Sequence, residues 1–107
     1  MSDAKTTRQA VVVIDDDTRL DMPQFARACG TTIEYIEEMI VEGVVLPRGE
    51  RPHVDFGAEE MVRVRRALRL QRDFDASLPS VAVMLDLIEE IERLRNELHL
   101  AGIERPR

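Results

Sequence analysis

Residues 21–56 read DMPQFARACGTTIEYIEEMIVEGVVLPRGERPHVDF, and this stretch decides the fold. It begins with a short helix over residues 21–29. Asp21 is suited to cap the N-terminus of this helix, and Gln24, three residues later, completes a capping box. Gly30 then supplies the left-handed residue that commonly ends a helix. The pattern therefore predicts a short helix followed by a tight turn.

A second short helix follows directly. Thr31 or Thr32 can cap its N-terminus, the helix continues to about Glu42, and Gly43 ends it. Its apolar residues recur at helical spacing and predict one buried face. They are Ile33, Ile36 and Ile40, with Met39 beside them. Two short helices joined by a tight turn form a helix-turn-helix, in which the second helix ordinarily enters the major groove of DNA.

The chain after the second helix predicts a small β-wing. Residues 44–47 leave the helix in an extended conformation, residues 48–51 form a tight turn, and residues 52–56 return. The complete stretch is therefore interpreted as a winged helix-turn-helix. Arg48 and Arg51 lie at the tip of the wing, where they could contact phosphates or simply be solvated.

The predicted recognition helix carries the wrong charge for DNA. It contains acidic residues at four positions and no Lys or Arg. These residues are Glu34, Glu37, Glu38 and Glu42. The whole chain has a net charge of −6, and residues 1–58 contain 11 acidic and 6 basic residues. An acidic surface repels phosphates and favours rapid encounter with basic partners.

A third helix is predicted from Gly57 to about Phe74. Its inner face is formed by Met61, Val64, Ala67, Leu68 and Phe74. Another face carries Arg65, Arg69 and Arg72, with Arg63 and Arg66 nearby. A basic stripe can indicate nucleic-acid binding. The alternative, favoured by the negative net charge, is that these arginines pair with carboxylates of the chain or stay solvated.

Residues 75–79 interrupt the third helix, and Ser77 can cap a fourth. The apolar residues of this helix recur in steps of three and four, which is the a/d pattern of a coiled coil. They are Met84, Leu87, Ile91, Leu94, Leu98 and Ala101. Leu85 and Ile88 widen the apolar face, so that part of it can pack on the third helix. We expect Met84, Leu87, Ile91, Leu94 and Leu98 to form an antiparallel homodimer. The alternative is that the helix folds back and covers its own core.

The chain is expected to form one domain with a helical extension, mainly α in fold class. Residues 1–10 are a flexible N-terminus and residues 11–76 the winged helix-turn-helix with its small β-wing. Residues 77–101 are the C-terminal packing and dimerisation helix, and residues 102–107 are a tail. The β-branched run at residues 11–14 predicts a short strand that pairs with the wing.

The sequence contains no catalytic or metal-binding constellation. His53 and His99 lack metal-ligand spacing to another His or Cys, and the aspartates at residues 15–17 lack the alternating ligands of a calcium loop. We therefore expect no enzyme, cofactor or metal. Cys29, the one cysteine, is expected to be a small buried hydrophobic side chain in a reducing compartment. Without a signal-peptide core or an apolar run that could span a membrane, a cytoplasmic protein is expected.

The organisation of residues 11–98 resembles the MerR-like superfamily and, within it, the CbpM family of chaperone-modulatory proteins. The most specific segment is residues 78–94, LPSVAVMLDLIEEIERL, with an Ala-Val-x-Leu-x-Leu core after the proline. The Phe25 helix ending in Cys29-Gly30, the Gly43-Val44-Val45 segment with Pro47, and the Arg-rich third helix also match. MerR activators usually carry an Arg-Tyr-Tyr-type segment in the second helix, where this chain has Glu-Tyr-Ile-Glu-Glu. The polar entry at residues 15–20 is longer than in that family.

The resemblance implies a modulator that binds the J domain of a CbpA-like DnaJ homologue and inhibits its cooperation with the DnaK chaperone. A J domain presents a basic helix to DnaK, and an acidic helix would mimic that acidic partner surface. The partner-binding residues are then Glu34, Glu37, Glu38 and Glu42 for electrostatic steering, with Tyr35 as an anchor. The alternative is a MerR-like DNA-binding transcriptional regulator, suggested by the arginines and disfavoured by the four glutamates.

Overall fold

The computed structural model describes residues 17–50 and 53–102, which are mainly α-helical. The helices follow in the order α1 (Met22–Cys29), α2 (Ile33–Val41), α3 (Ala58–Phe74) and α4 (Leu78–Leu100). Helix α1 packs on both α2 and α3, and α3 packs along α4. The predicted mainly α fold is confirmed. The predicted strand at residues 11–14 lies outside the described residues.

The turn between α1 and α2 forms as its sequence predicts. The Asp21 carboxylate accepts a hydrogen bond from the Gln24 backbone N–H, and the Gln24 side chain accepts one from the Asp21 backbone N–H, both at 2.9 Å. Gly30 ends α1 in the left-handed conformation with φ 77°. Thr32, rather than Thr31, caps α2 through its side-chain oxygen. These local bonds orient α2 relative to α1.

The wing is smaller than predicted. Within the described residues, it contains no regular strand, only two isolated antiparallel bridges. Arg48 pairs with Asp55 and Leu20 pairs with Phe56, each through two backbone hydrogen bonds of 2.8–2.9 Å. Val44 and Val45, which precede these bridges, are buried in the core, and the Val44 carbonyl accepts a hydrogen bond from the Arg63 side chain. The segment therefore serves as core packing more than as a projecting hairpin.

The core is centred on a pair of stacked aromatic rings. Phe25 and Phe56 are fully buried, with ring centroids 4.2 Å apart and an interplanar angle of 8°. The stack joins α1 to the residues that lead into α3. Around it lie further buried apolar side chains from all four helices and the wing segment. They are Ala26, Cys29, Ile36, Met39, Val44, Val45, Met61, Val64, Ala67, Val81 and Leu85.

Most of the predicted core residues are confirmed, and Phe74 is the exception. Ile36, Met39, Met61, Val64 and Ala67 are buried, whereas Ile33, Ile40 and Leu68 are half-buried at the edge of the core. Phe74 was expected on the inner face of α3 but is exposed. It is the last residue of α3, and the chain reverses immediately after it, where Asp75 adopts the left-handed conformation with φ 53°.

Helix α4 divides its apolar residues between two opposite faces. Val81 and Leu85 enter the core, while Leu87, Ile91, Leu94 and Leu98 are exposed. At 100° per residue, this exposed row lies on the side of the helix roughly opposite to Leu85. The row therefore does not cover the core of its own chain, which is what the alternative of a folded-back helix required.

The stacked rings predict a large, position-specific loss of stability. We expect Phe25→Ala to lower the free energy of unfolding by roughly 3–5 kcal/mol, because it leaves a cavity beside Phe56. Phe74→Ala makes the same chemical change at an exposed site and should alter stability by less than about 0.5 kcal/mol. Urea denaturation followed by circular dichroism measures both. Equal losses in the two variants would show that the stack does not organise the core.

A second prediction concerns the buried thiol of Cys29, whose sulfur lies 3.5 Å from that of Met61. Burial raises the pKa of this thiol to about 11, partly offset by the positive charge of Arg65. Because the thiolate is the reactive form, we expect Ellman's reagent at pH 8 to react on the order of 100-fold more slowly with folded than with urea-unfolded protein. A native rate close to the unfolded rate would contradict the burial of Cys29.

Candidate partner-binding surface

Helix α2 turns one face to the core and presents an acidic face to solvent. Ile36 and Met39 are fully buried on the inner side. On the outer side, Val41 is 81% exposed and is surrounded by carboxylates. The exposed acidic residues of this helix and its C-terminal cap are Glu34, Glu37, Glu38 and Glu42. We call these four residues together with Val41 the acidic face.

The glutamates of the acidic face stand apart from the ion pairs that the described residues form. No ion pair joins any of the four to another residue in the described ranges. Carboxylates on one face of a short helix, without cations beside them, produce a concentrated negative potential. The acidic face is therefore suited to attract a basic partner and to repel the phosphates of DNA.

The arginines, in contrast, are largely paired within the chain. Arg63 of α3 contacts Asp86 at 3.0 Å and Glu89 at 2.5 Å, both on α4. Arg66 contacts Glu92 at 2.7 Å, and this hydrogen bond lowers the pKa of the Glu92 carboxyl. These three ion pairs neutralise one side of the basic helix. They match the interpretation that the arginines of α3 pair with the chain's own carboxylates.

The remaining arginines divide into two groups. Arg48, expected at the tip of the wing, instead contacts Glu59 at 2.5 Å and Glu60 at 3.2 Å, and these carboxylates raise its pKa. Arg51 lies outside the described residues. The exposed face of α3 carries Arg65, Arg69 and Arg72, of which Arg72 lies 3.5 Å from Asp73. Within the described residues, Arg65 and Arg69 form no ion pair.

An open groove of about 440 Å³ runs between α2 and the start of α4. One wall is the acidic face, and Leu78, in the first turn of α4, contributes to the other. All four predicted glutamates line this groove, so the fold brings them together on one surface. The groove combines negative charge with two apolar side chains, Val41 and Leu78. This combination is typical of surfaces that bind a basic amphipathic helix.

Tyr35, expected as the aromatic anchor, has a different environment. It is half-buried, and its hydroxyl donates a hydrogen bond to the Gln71 side-chain oxygen on α3. The Gln71 amide in turn donates to the Ala76 carbonyl at 3.4 Å, in the turn before α4. Tyr35 does not line the groove. Its observed contacts position α2 against the turn between α3 and α4.

Sequence reasoning missed Val41 and Leu78 as groove residues. Helical spacing already places Val41 on the outer face of α2, since Glu34, Glu37 and Glu38 lie within about 60° of it around the helix axis. An exposed valine among glutamates was the available signal. Leu78 carried no such signal in the sequence, because only the tertiary packing of α4 brings it beside α2.

Other classes of site find no support in the described part of the chain. Among residues 17–50 and 53–102, no group of three or more His, Cys, Asp or Glu side chains could hold a metal ion. No helix of these ranges is both long enough and apolar enough to cross a membrane. Among the described residues, the groove between α2 and the start of α4 therefore remains the candidate functional site.

Comparison with known proteins identifies the family. A family model described as MerR HTH family regulatory protein matches residues 20–101. The chaperone modulatory protein CbpM of Pseudomonas putida (strain W619) is 30% identical over 80 residues, which cover 74% of this chain and 79% of that protein. The CbpM of Coxiella burnetii (strain Dugway 5J108-111) is 27% identical over 95 residues, covering 86% of this chain and 90% of that protein. The chain therefore belongs to the MerR helix-turn-helix family and is a relative of the chaperone modulatory proteins CbpM.

Proposed function

We propose that this protein binds the J domain of a CbpA-like DnaJ homologue and thereby inhibits the cooperation of that co-chaperone with DnaK. The observation that supports this most directly is the acidic face of α2, whose glutamates form no ion pair within the described ranges, whereas other carboxylates there frequently pair with arginines. A J domain is expected to present a basic helix to DnaK. A protein that covers this helix with its own glutamates competes with DnaK for the same charges. Such an inhibitor acts by binding alone, in the cytoplasm where both chaperones work.

The two kinds of side chain in the groove have different roles in this proposal. The four glutamates accelerate encounter, because long-range attraction raises the association rate constant and weakens with salt. Val41 and Leu78 supply apolar contacts that slow dissociation, since buried apolar side chains carry much of the affinity of an interface. Tyr35 contributes by holding α2 in place through Gln71. We therefore assign Tyr35 a positioning role beside the groove.

We also propose that α4 forms an antiparallel homodimer through Met84, Leu87, Ile91, Leu94 and Leu98. The last four are exposed in the single chain and Met84 is half-buried. A contiguous apolar row on a helix surface is typical of an interface with another chain. Because the row points away from α3, dimerisation leaves the groove between α2 and α4 open for a partner.

Binding to DNA is the second candidate function. The family model and the exposed Arg65, Arg69 and Arg72 favour it. A DNA reader of this fold would place α2 in the major groove. Four glutamates would then face phosphates at close range, with like-charge repulsion that the three arginines on another helix do not relieve. We therefore rank DNA binding below binding to a J domain.

The proposed function predicts salt-sensitive binding that depends on the acidic face. We expect wild-type protein to bind the isolated J domain with micromolar or tighter affinity in titration calorimetry, more weakly at high salt. Glu37→Lys with Glu38→Lys should weaken binding on the order of 100-fold, because like charges would meet across the interface. The same variant should fail to inhibit the DnaK ATPase activity stimulated by the co-chaperone.

A matched control separates the position of the charges from their number. Glu50→Lys with Asp73→Lys changes the net charge by the same amount at exposed positions outside the groove. We expect this control to bind the J domain within about threefold of wild type, as screened charges at a distance contribute little. Unchanged binding by the Glu37/Glu38 variant, with helical content intact, would place the partner surface elsewhere. Absence of wild-type binding, with sequence-specific and salt-sensitive DNA binding, would favour the second candidate.

The dimer proposal predicts a change of mass on disrupting the apolar row. We expect Ile91→Asp with Leu94→Asp to be a monomer in sedimentation equilibrium, because two buried carboxylates cannot be accommodated between apolar helices. Leu100→Asp, on a different side of α4, serves as the control and should leave the dimer intact. A monomeric wild-type protein at micromolar concentration would contradict the proposed dimer.

A further inference from the structure

A second groove, of about 620 Å³, lies beside the first. It is bounded by residues 43–46 after α2, by the N-terminal half of α3 and by the middle of α4. At its edge, Leu46 is 71% exposed and Val62 is 52% exposed. Two exposed apolar side chains on separate segments of one groove are available to hold a third apolar side chain between them. Neither residue takes part in the surface proposed above.

The two grooves meet at the C-terminal end of α2. Glu42 lines the first groove, and the next residue, Gly43, lines the second. Gly43 has φ 82°, a left-handed conformation that lets the chain turn sharply off α2 and carry Leu46 to the second groove. Helix α4 borders both, with Leu78 in the first groove and Asp86 and Glu89 in the second. One elongated partner could therefore occupy both grooves.

The charges of the second groove are arranged by depth. The Arg63 and Arg66 side chains are only 18% and 33% exposed, whereas their partners Asp86, Glu89 and Glu92 are 74%, 47% and 53% exposed. The two cations and the buried carboxylate of Glu60 therefore lie towards the floor, and Asp86, Glu89 and Glu92 lie towards the rim. Glu59 adds a further carboxylate with an 82% exposed side chain. An approaching molecule meets negative charge first, as it does at the acidic face.

We propose that the second groove continues the partner-binding surface, and that Leu46 and Val62 hold an apolar side chain of the same basic helical partner. This inference rests on the proposed function, since it assigns the occupant to the J domain. The negative rim is complementary to a basic partner. A second copy of this chain, with a net charge of −6, would meet repulsion at this rim. The apolar row of α4, which we assign to the second copy, faces the other way.

The test measures association and dissociation rates of the J domain by surface plasmon resonance. Leu46→Ser with Val62→Ser removes the apolar pair without changing charge or opening the core. We expect this variant to dissociate at least tenfold faster with an association rate constant within about twofold of wild type, because apolar contacts act mainly on dissociation. Leu46→Met with Val62→Ile keeps apolar side chains and should retain wild-type rates. Phe74→Ser makes a comparable exposed change outside both grooves and serves as the matched control.

The outcomes distinguish this inference from the proposed function. If Glu37→Lys with Glu38→Lys weakens binding as expected while the Leu46/Val62 serine variant keeps wild-type rates, the second groove is not part of the interface and the proposed function stands. If wild-type protein does not bind the J domain at all, both proposals are overturned together. If the serine variant alters sedimentation of the protein alone, the second groove contacts another copy of this chain, and the assignment to the J domain is wrong.

Discussion

The stacking of Phe25 on Phe56 is the contact on which the rest of the structure depends. It joins α1 to the end of the wing segment, one residue before Gly57, the N-cap of α3. The Leu20–Phe56 bridge and the Asp21 capping box fix the same corner from the other side. Because α2 follows α1 through a single capped turn, the stack also determines where α2 lies. The grooves on either side of the end of α2 are consequences of this arrangement.

The distribution of charge is the second organising feature. Arg63 and Arg66 lie between α3 and α4, with most of their surface covered and with carboxylates of α4 as partners. Because the carboxylates of these pairs remain exposed to solvent, each pair contributes little stability individually. Their larger effect is on the surface potential, since they neutralise the positive charges of Arg63 and Arg66 on α3. The second helix of this helix-turn-helix therefore carries negative charge, which repels the phosphates of DNA.

This separation of fold from surface illustrates why the family alone does not specify a partner. The chain matches the MerR HTH family model over residues 20–101, which include α1, α2 and the wing segment. In this chain, α2 and its C-terminal cap carry Glu34, Glu37, Glu38 and Glu42 and no Lys or Arg, so the potential at this helix is negative. The small wing also lacks a free cation at Arg48, because this side chain is bound to Glu59 and Glu60.

The sequence by itself determined the helices and the composition of the acidic face. Capping by Asp21, Ser77 and one of Thr31 and Thr32, and the left-handed Gly30, act between neighbouring residues, so their effects can be derived from local spacing alone. Helical periodicity likewise placed four glutamates together on α2. The sequence also predicted the apolar row of α4, and the structure shows that the exposed part of this row lies away from the core.

Only the tertiary structure decided which residues complete the grooves and how far the wing extends. Leu78, Leu46 and Val62 come from segments distant in sequence, and their proximity to the acidic residues depends on how α3 and α4 pack. Phe74 has the periodicity of a core residue but is exposed, because the chain reverses after it. The Val44 carbonyl bonds to the Arg63 side chain instead of a neighbouring strand. In each case a long-range packing contact, which local periodicity does not encode, overrides the local preference.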